Sequence, residues 1–343
     1  MDPIVVVSMI DDAYLPFAAV VARSIAANAA SGRPIECHVF HAGTDAAGAA
    51  KLAAFAPGDV RIIVHTIDNP LDRFGTVGTF PPSTLLRLLL PDLLPDHGQV
   101  IYLDVDLIVL GDIAELAAAP LGGKPLGGVA DMASVLSARG NSPFRWPETG
   151  HTIREQFHQV FGLTPETYRT YTNTGVLLMD LAALRACKFS ERTIACLEER
   201  NQELPLRDQD AINLVMRGEI ASLPPEWNLA LPMLRLAHLD GAEAEDIALL
   251  RRQLAAPGII HFISTLKPWL RSRPLPFAGL WWHFAMRTPF YEQIKQTHRA
   301  ALAKRGRHPH PFRALHGALA GAKWASQRGS QPVRHPLIDS WRA

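Results

Sequence analysis

Ile4-Val5-Val6-Val7, close to the start of the 343-residue chain, is an unbroken run of β-branched aliphatic residues. Such a run is typical of a strand buried on both faces, because a half-exposed strand alternates apolar and polar residues. A helix-like segment follows at 14–29, then a strand-like one at 36–41, a helix-like one at 44–55 and a strand-like one at 61–65. This order predicts an α/β fold with a mostly parallel central sheet flanked by helices.

The rest of the chain continues this alternation with more interruptions. Patterning predicts strands at 99–103, 107–110, 129–131, 174–180 and 259–262, and helices at 189–202, 208–217 and 277–304. The proline-punctuated segment 80–95 predicts a short apolar helix with one basic residue, Arg87. Residues 134–170 are rich in Gly, Pro and Arg, which predicts an irregular loop.

Composition excludes several classes of protein. With 48% hydrophobic and 20% charged residues, the chain is typical of a globular protein rather than a disordered one. Three cysteines, none in a C-x-x-C pair, predict neither a disulfide framework nor a structural zinc site. The start lacks the pattern of a signal peptide, and no run of 18 apolar residues occurs. We therefore expect a cytoplasmic protein, soluble or peripheral to the inner face of the membrane.

The net charge of +1 conceals an uneven distribution along the chain. Residues 1–266 carry 20 basic and 31 acidic side chains, whereas residues 267–343 carry 14 basic and two acidic ones. The basic end predicts salt-sensitive contact of residues 305–343 with an anionic membrane surface. A solvated tail, or helices packed on the acidic part, is the alternative. Few aromatic residues are placed for base stacking, so nucleic-acid binding is not expected.

The stretch Tyr102-Leu103-Asp104-Val105-Asp106 places two carboxylates at the end of a predicted strand. Side chains two residues apart in a strand point to the same face, so Asp104 and Asp106 are expected side by side. Two adjacent carboxylates are costly unless a cation lies between them, and Mn²⁺ or Mg²⁺ suits such oxygen ligands. This edge of a parallel sheet is also where ligands bind. The alternative is an acidic surface turn.

Four other polar motifs each have an ordinary structural explanation when taken alone. Acids that follow a strand can cap the next helix, acids in a first helical turn favour its dipole, and a lone buried histidine is usually a satisfied core residue. The motifs are Asp11-Asp12 with Tyr14 nearby, Asn173-Thr174-Gly175, Asp208-Gln209-Asp210, and His261 followed by Lys267-Pro268-Trp269.

The order of these five motifs along the chain resembles that of glycosyltransferase family 8, from residue 4 to about residue 290. The resemblance is closest to the bacterial lipopolysaccharide galactosyl- and glucosyltransferases. It implies a GT-A fold and a retaining transfer of galactose or glucose from a UDP-hexose. The acceptor would be a hydroxyl of a saccharide, a lipid-linked saccharide or a lipopolysaccharide core. Mn²⁺, or Mg²⁺, is the implied cofactor.

The resemblance also implies a role for individual residues. The metal ligands would be Asp104, Asp106 and His261. The nucleotide would be bound by Asp11, Asp12, Tyr14, Val105 and Lys267, with Lys267 at the diphosphate. The donor sugar would be surrounded by Arg87, Asp131, Asn173, Asp208 and Gln209, of which the last four are the catalytic candidates. Gln209 occupies the family position once proposed as the nucleophile.

Two positions depart from the family pattern. Ser264 replaces the glycine that commonly precedes the Lys-Pro-Trp sequence by three residues, and Ala13 replaces a frequent asparagine. A catalytically silent UDP-sugar-binding protein is therefore one alternative. A sugar nucleotidyltransferase is another, but it would need a glycine-rich loop with arginine after the first strand, which Met9-Ile10-Asp11-Asp12-Ala13 does not supply.

The motifs end at Trp269, close to where the charge changes sign. We therefore expect a catalytic domain at residues 1–276 and a basic, partly flexible helical extension at residues 277–343. Acceptor specificity is expected in 134–170 and 223–256, since loops carry specificity in such folds.

Overall fold

The computed structural model describes residues 2–77, 80–140, 142–232, 242–271 and 275–305. Its strands are β1 (Ile4–Ile10), β2 (Ile35–His41), β3 (Val60–Thr66), β4 (Gln99–Leu103), β5 (Leu107–Val109), β6 (Leu126–Ala130), β7 (Thr172–Asp180), β8 (Ile220–Ser222), β9 (Leu229–Ala230) and β10 (Ile259–His261). Its helices are α1 (Leu15–Asn28), α2 (Ala46–Ala53), α3 (Leu90–Leu93), α4 (Ile113–Ala117), α5 (Met132–Arg139), α6 (Ile153–Gln159), α7 (Leu181–Ala186), α8 (Phe189–Arg200), α9 (Asp208–Val215), α10 (Ala244–Ala255), α11 (Ala278–Ala285) and α12 (Tyr291–Arg305).

The central sheet has seven strands in the order β3-β2-β1-β4-β7-β6-β8, which confirms the predicted α/β fold. Its pairs are parallel except those of β7, which runs antiparallel to both β4 and β6. Leu103 at the end of β4 therefore lies opposite Val176 near the start of β7. The first residues of β7 thus reach the same edge of the sheet as the last residues of β4.

A second sheet, in the order β5-β10-β9, explains how distant parts of the chain meet at this edge. β10 pairs antiparallel with β5, and this register places His261 opposite Leu107. The amide of Phe262 also donates a hydrogen bond to the carbonyl of Asp106, at 2.8 Å. Backbone pairing therefore fixes His261 beside the acidic sequence that precedes β5.

The aliphatic run at the start of the chain is buried on both faces, as predicted. Ile4 and Val6 belong to a core packed with α1 on one side of the sheet, whereas Val5 and Val7 belong to a core on the other side. A strand covered on both sides has no exposed face, which accounts for the absence of alternation in its sequence.

The expectation of an irregular loop at 134–170 is wrong in part, because α5 and α6 lie within it. α6 begins with a capping box, in which Thr152 and Glu155 satisfy each other's backbone amides. The predicted helix at 277–304 is two helices, with the break at Pro289, which lacks an amide hydrogen. The segment at 80–95 is mostly a 3-10 helix, Pro82–Leu89.

The C-terminal helices pack on the rest of the protein through aromatic side chains. Trp281 of α11 is fully buried, 6.0 Å from the Phe17 ring of α1 and 5.0 Å from the Trp269 ring. Phe17 and Trp269 stack at 3.9 Å. The division at residue 276 stays a prediction, but α11 shares the main core with α1.

The predicted membrane contact of 305–343 involves residues outside the described part, apart from Arg305. Among the helices that the model describes, none has the length and apolar character needed to cross a bilayer.

Three histidines cluster at the β2–β3 edge of the central sheet. His38 Nδ1 and His65 Nε2 are 3.1 Å apart, and the His97 ring lies 5.2 Å from that of His38. Burial, reinforced by the neighbouring imidazoles, lowers the pKa of both His38 and His65 below the ordinary value of 6.5.

This cluster predicts a loss of stability in acid. Below about pH 6.5 the unfolded chain takes up protons at these histidines more readily than the folded protein, so the free energy of unfolding falls. His65→Gln should therefore lose less stability between pH 7.5 and pH 5.5 than the wild-type protein, measured by urea unfolding. Because both proteins share all other titrating groups, an equal loss in the two would contradict this account.

Candidate active site

Asp104, Asp106 and His261 form a compact group of metal-ligand type. Candidate ligand atoms of the three side chains all lie within 4.8 Å of one another, in the only such group among the described residues. His261 Nε2 is 3.0 Å from Asp106 Oδ1 and 3.8 Å from Asp104 Oδ2. Two carboxylates and one imidazole suit a divalent cation such as Mn²⁺, so the residues present fit the metal that the resemblance implies.

Lys267, in the loop after β10, also contacts the Asp106 carboxylate. Its ammonium forms a hydrogen-bonded ion pair with Asp106 Oδ2. Burial by itself would raise the pKa of Asp106, but the ammonium of Lys267 lowers it below its ordinary value. The Asp106 carboxylate is therefore ionised near neutral pH, the form that a metal ligand requires.

Arg87 joins the metal-ligand group to the acids of α9. This buried guanidinium lies 2.9 Å from Asp104 Oδ1 and 3.0 Å from Asp208 Oδ2. It also donates a hydrogen bond to the Thr174 carbonyl at 2.9 Å, and it packs over the Tyr102 ring at 4.6 Å. Burial opposes its charge, but the two carboxylates raise the pKa of Arg87 above its ordinary value.

A second group of polar side chains continues from Arg87 towards α5. Gln209 Nε2 donates to Asp131 Oδ2 at 2.9 Å, and Gln209 Oε1 accepts from Asn173 Nδ2 at 3.2 Å. Asp131 also caps α5, since its Oδ1 accepts from the Ser134 amide at 3.0 Å. The structure therefore brings Asp131, Asn173 and Gln209 together in one buried network.

The acids of α9 are buried. Burial raises the pKa of Asp208 to about 6, and Arg87 limits the rise. Burial raises the pKa of Asp210 to about 7, and this carboxylate accepts hydrogen bonds from the Tyr171 hydroxyl and the Leu206 amide. Both acids thus titrate closer to neutral pH than an exposed aspartate.

Asp11 and Asp12 are adjacent in the sequence, but they have different partners in the structure. Asp11 accepts a hydrogen bond from Ser83 at 3.3 Å, and its charge reaches Tyr14, whose pKa is raised mainly by burial. Asp12 turns away, to His41 Nε2 at 2.6 Å and to the backbone amides of 44–45, which lower its pKa to about 2. The Asp12 carboxylate therefore holds its loop to β2 and to the residues before α2, and its contact with a nucleotide stays a prediction.

Val105 also differs from its neighbours in the D-x-D sequence. Its side chain is buried in the main hydrophobic core, on the opposite side of the strand end from Asp104 and Asp106. Only its backbone could contact a nucleotide.

Three residues that the sequence reasoning missed belong to the site. Tyr102 donates to Asp104 Oδ1 at 2.8 Å, Tyr171 contacts Gln209 Nε2 at 3.2 Å, and Asn228 Oδ1 lies 3.0 Å from His261 Nδ1. Strand periodicity would have found the tyrosines, because each lies two residues before a motif residue. Asn228 has no sequence signal of this kind.

Gly175 is required by the close approach of two candidate metal ligands. A Cβ at this position would lie 2.1 Å from His261 Cε1 and 2.7 Å from Asp104 Oδ2. The structure therefore places the His261 ring in the space that a side chain at this position would need.

Gly175→Ala should therefore separate His261 from Asp104. We expect the Mn²⁺ affinity to fall by at least about tenfold, because ligand placement controls metal affinity. Isothermal titration calorimetry with Mn²⁺ measures it. Gly98→Ala is the matched control, since a Cβ there meets nothing within 4 Å. Wild-type affinity in Gly175→Ala would contradict the predicted crowding.

Ser264 occupies backbone space that favours glycine. Its φ is 58°, in the left-handed region, which explains why the family commonly has glycine here. Ser264→Gly should raise the free energy of unfolding by up to about 1 kcal/mol, because relief of the left-handed strain outweighs the added entropy of the unfolded chain. Urea unfolding measures this. Ser264→Ala keeps the Cβ and should not raise the free energy of unfolding. Equal effects of Ser264→Gly and Ser264→Ala would therefore contradict the backbone strain at this position.

Comparison with known proteins identifies relatives of this chain. Probable galacturonosyltransferase-like 7 of Arabidopsis thaliana is 30% identical over 242 residues, which cover 67% of this chain and 59% of the relative. Lipopolysaccharide 1,2-glucosyltransferase of Escherichia coli K12 is 24% identical over 50% of this chain and 44% of its own length. The chain spans about 60% of the length of several curated relatives that it matches.

Solved structures agree on the fold. The galactosyltransferase LgtC, in complex with donor and acceptor sugar analogues, superposes with a TM-score of 0.68 at 23% identity and covers 83% of this chain and 96% of its own. The apo bifunctional glycosyltransferase WbbM superposes with a TM-score of 0.69 at 18% identity, over 86% of this chain and 51% of its own. The family model for glycosyl transferase family 8 matches residues 5–273. Because this match covers most of the chain, the protein belongs to glycosyl transferase family 8.

Proposed function

We propose that this protein is a metal-dependent retaining hexosyltransferase, which transfers galactose or glucose from a UDP-hexose to a hydroxyl of a saccharide acceptor. The observation that carries the proposal is the connection of two groups. Asp104, which belongs to the metal-ligand group, is joined through the buried Arg87 to Asp208 on α9. A nucleotide-sugar transferase needs a metal site for the diphosphate next to a polar pocket for the sugar, since the bond that breaks lies between diphosphate and sugar.

The diphosphate end would be bound by the first group. Asp104, Asp106 and His261 would hold Mn²⁺ or Mg²⁺, which when bound neutralises negative charge on the leaving diphosphate. Lys267 contacts the Asp106 carboxylate and its side chain is 14% exposed, so its ammonium is well placed to contact a phosphate oxygen. Asp11 and Tyr14 would bind the uracil and ribose, with Asp12 supporting their loop through His41.

The charges around the sugar favour a neutral hexose over a hexuronate. Asp131, Asp208 and Asp210 are buried acids of this region. The nearby cations are already engaged, because Arg87 pairs with two carboxylates and Arg207 donates to the carbonyls of 74–75. A sugar carboxylate would lie close to these acids and would make their ionisation more costly still, which disfavours it. The proposal therefore follows the glucosyl- and galactosyltransferase relatives rather than those named galacturonosyltransferase-like.

The hydrogen bonds of Gln209 favour front-side attack over a covalent intermediate. Gln209 Oε1 accepts from Asn173 Nδ2 at 3.2 Å and from the Thr174 amide at 3.3 Å, so both of its lone pairs are engaged. Asp208 is held by Arg87. In the proposed reaction the acceptor oxygen bonds to the anomeric carbon on the face that the diphosphate leaves. The bond to the phosphate oxygen breaks, and that oxygen takes the acceptor proton.

The acceptor is proposed to be a saccharide of the lipopolysaccharide type. This choice rests on the name of the lipopolysaccharide 1,2-glucosyltransferase relative. Contact of residues 305–343 with an anionic membrane would bring the enzyme close to a lipid-linked acceptor.

A UDP-release assay with Mn²⁺ tests the donor and the metal site together. UDP-glucose or UDP-galactose should be consumed faster than UDP-galacturonate, because of the acidic sugar site. Asp106→Asn should lower the rate by at least about 100-fold, since it weakens the electrostatic stabilisation of the leaving diphosphate.

Asp112→Asn is the matched control, because Asp112 caps α4 and should affect only stability. Wild-type turnover by Asp106→Asn would contradict the metal assignment. Binding of UDP with no turnover of any donor would favour a catalytically silent binding protein.

A further inference from the structure

Asn228 occupies a buried position between His261 and Asn173. It precedes β9, which pairs with β10, and it is 3% exposed. Its Oδ1 lies 3.0 Å from His261 Nδ1, and its Nδ2 lies 2.9 Å from Asn173 Oδ1. The carbonyl of Asn228 accepts from Gln253 Nε2 at 3.2 Å, so the backbone at this position is held as well.

Backbone amides determine which way these side-chain amides face. The Gly175 amide donates to Asn173 at 3.1 Å, so the receiving atom must be Oδ1. Asn228 faces that oxygen and must present its Nδ2 donor to it. The other end of Asn228, its Oδ1, then faces His261, so Nδ1 of the histidine must carry a hydrogen. Nε2, which lies 3.0 Å from Asp106 Oδ1, is the ring nitrogen left to bind a metal.

The same argument extends the chain of hydrogen bonds towards Asp131. The Thr174 amide donates to Gln209 at 3.3 Å, which identifies that atom as Oε1. Asn173 Nδ2 donates to this oxygen, and Gln209 Nε2 donates to Asp131 Oδ2. Every donor in the series from His261 to Asp131 therefore points in the same direction.

We propose that Asn228 is a positioning residue that fixes the Nδ1–H tautomer of His261 and thereby directs the Nε2 lone pair at the metal site. Through its hydrogen bond to Asn173, and from there through Gln209, Asn228 also holds His261 at a fixed position relative to Asp131 on the sugar side. Partners of this kind orient metal-binding histidines and raise their basicity. The inference rests on the proposed function for the identity of the ligands.

The metal half of the proposal is tested by calorimetric titration of Mn²⁺ into the full-length protein, without donor or acceptor. Asn228→Ala should weaken the affinity about 10- to 100-fold, the range typical of lost outer partners. Asn228→Asp should stay within about threefold of wild type, because a carboxylate still accepts from Nδ1–H. Asn228→Leu keeps the side-chain volume without an acceptor and should weaken the affinity as Asn228→Ala does, whereas wild-type affinity in Asn228→Leu would mean that Asn228 serves only to fill space.

Asn28→Ala is the matched control. Asn28 makes two side-chain hydrogen bonds to backbone carbonyls, of Ser24 and Val109, and its loss should lower stability without affecting Mn²⁺ affinity. Thermal unfolding of all variants verifies that each is folded at the titration temperature.

The sugar half is tested by kinetics of Asn228→Asp. The aspartate cannot donate to Asn173 Oδ1, so kcat for UDP release should fall by at least about tenfold while Mn²⁺ affinity is retained. Unchanged Mn²⁺ affinity in Asn228→Ala, or equal weakening in Asn228→Asp, would overturn the tautomer role. An unchanged kcat in Asn228→Asp would overturn the link to the sugar side.

These outcomes are separable from failure of the proposed function. If Asp106→Asn binds Mn²⁺ as tightly as wild type, then the metal site itself is wrongly assigned. If Asp106→Asn loses Mn²⁺ and Asn228→Ala does not, then the metal site stands and the role of Asn228 is overturned.

Discussion

The site depends on one buried cation, the guanidinium of Arg87. It contacts Asp104 after β4, Asp208 at the start of α9 and the Thr174 carbonyl in β7, so a single side chain connects three separate elements. Loss of Arg87 would leave the Asp104 and Asp208 carboxylates close together without the positive charge that both contact. Breaking a buried ion pair in this way typically costs about 3–5 kcal/mol. The negative charge that the proposed chemistry needs is therefore compatible with folding only because Arg87 is present.

The antiparallel direction of β7 is what lets so many polar groups meet at one edge of the sheet. A parallel strand would deliver its last residues there, whereas β7 delivers its first, Thr172 to Gly175. These residues offer backbone amides as well as side chains, and the amides of Gly175 and Thr174 orient Asn173 and Gln209. Because β7 is held in the sheet, these backbone amides are fixed in position. They keep the side-chain amides of Asn173 and Gln209 from rotating.

Patterns within a few residues predicted much of this arrangement. The β-branched run gave the buried strand, and the spacing of Asp104 and Asp106 gave the paired carboxylates, since both follow from strand periodicity. Contacts between distant elements could not be predicted in the same way. Asp11 and Asp12 are equivalent in sequence, yet only the fold brings His41 to one of them. Asn228 likewise becomes significant only because β9 and β10 pair.

The stacked rings of Phe17, Trp269 and Trp281 have a consequence for exchanging parts between members of the family. The family model stops at residue 273, but Trp281 fills the centre of an aromatic cluster that also holds the end of the Lys267 loop. A chimera joined at the end of the family match would pair one protein's loop with another protein's aromatic partner. A crossover placed beyond Ile294, the last fully buried residue among the side chains of α12 that the structure describes, would instead transfer this cluster as a unit.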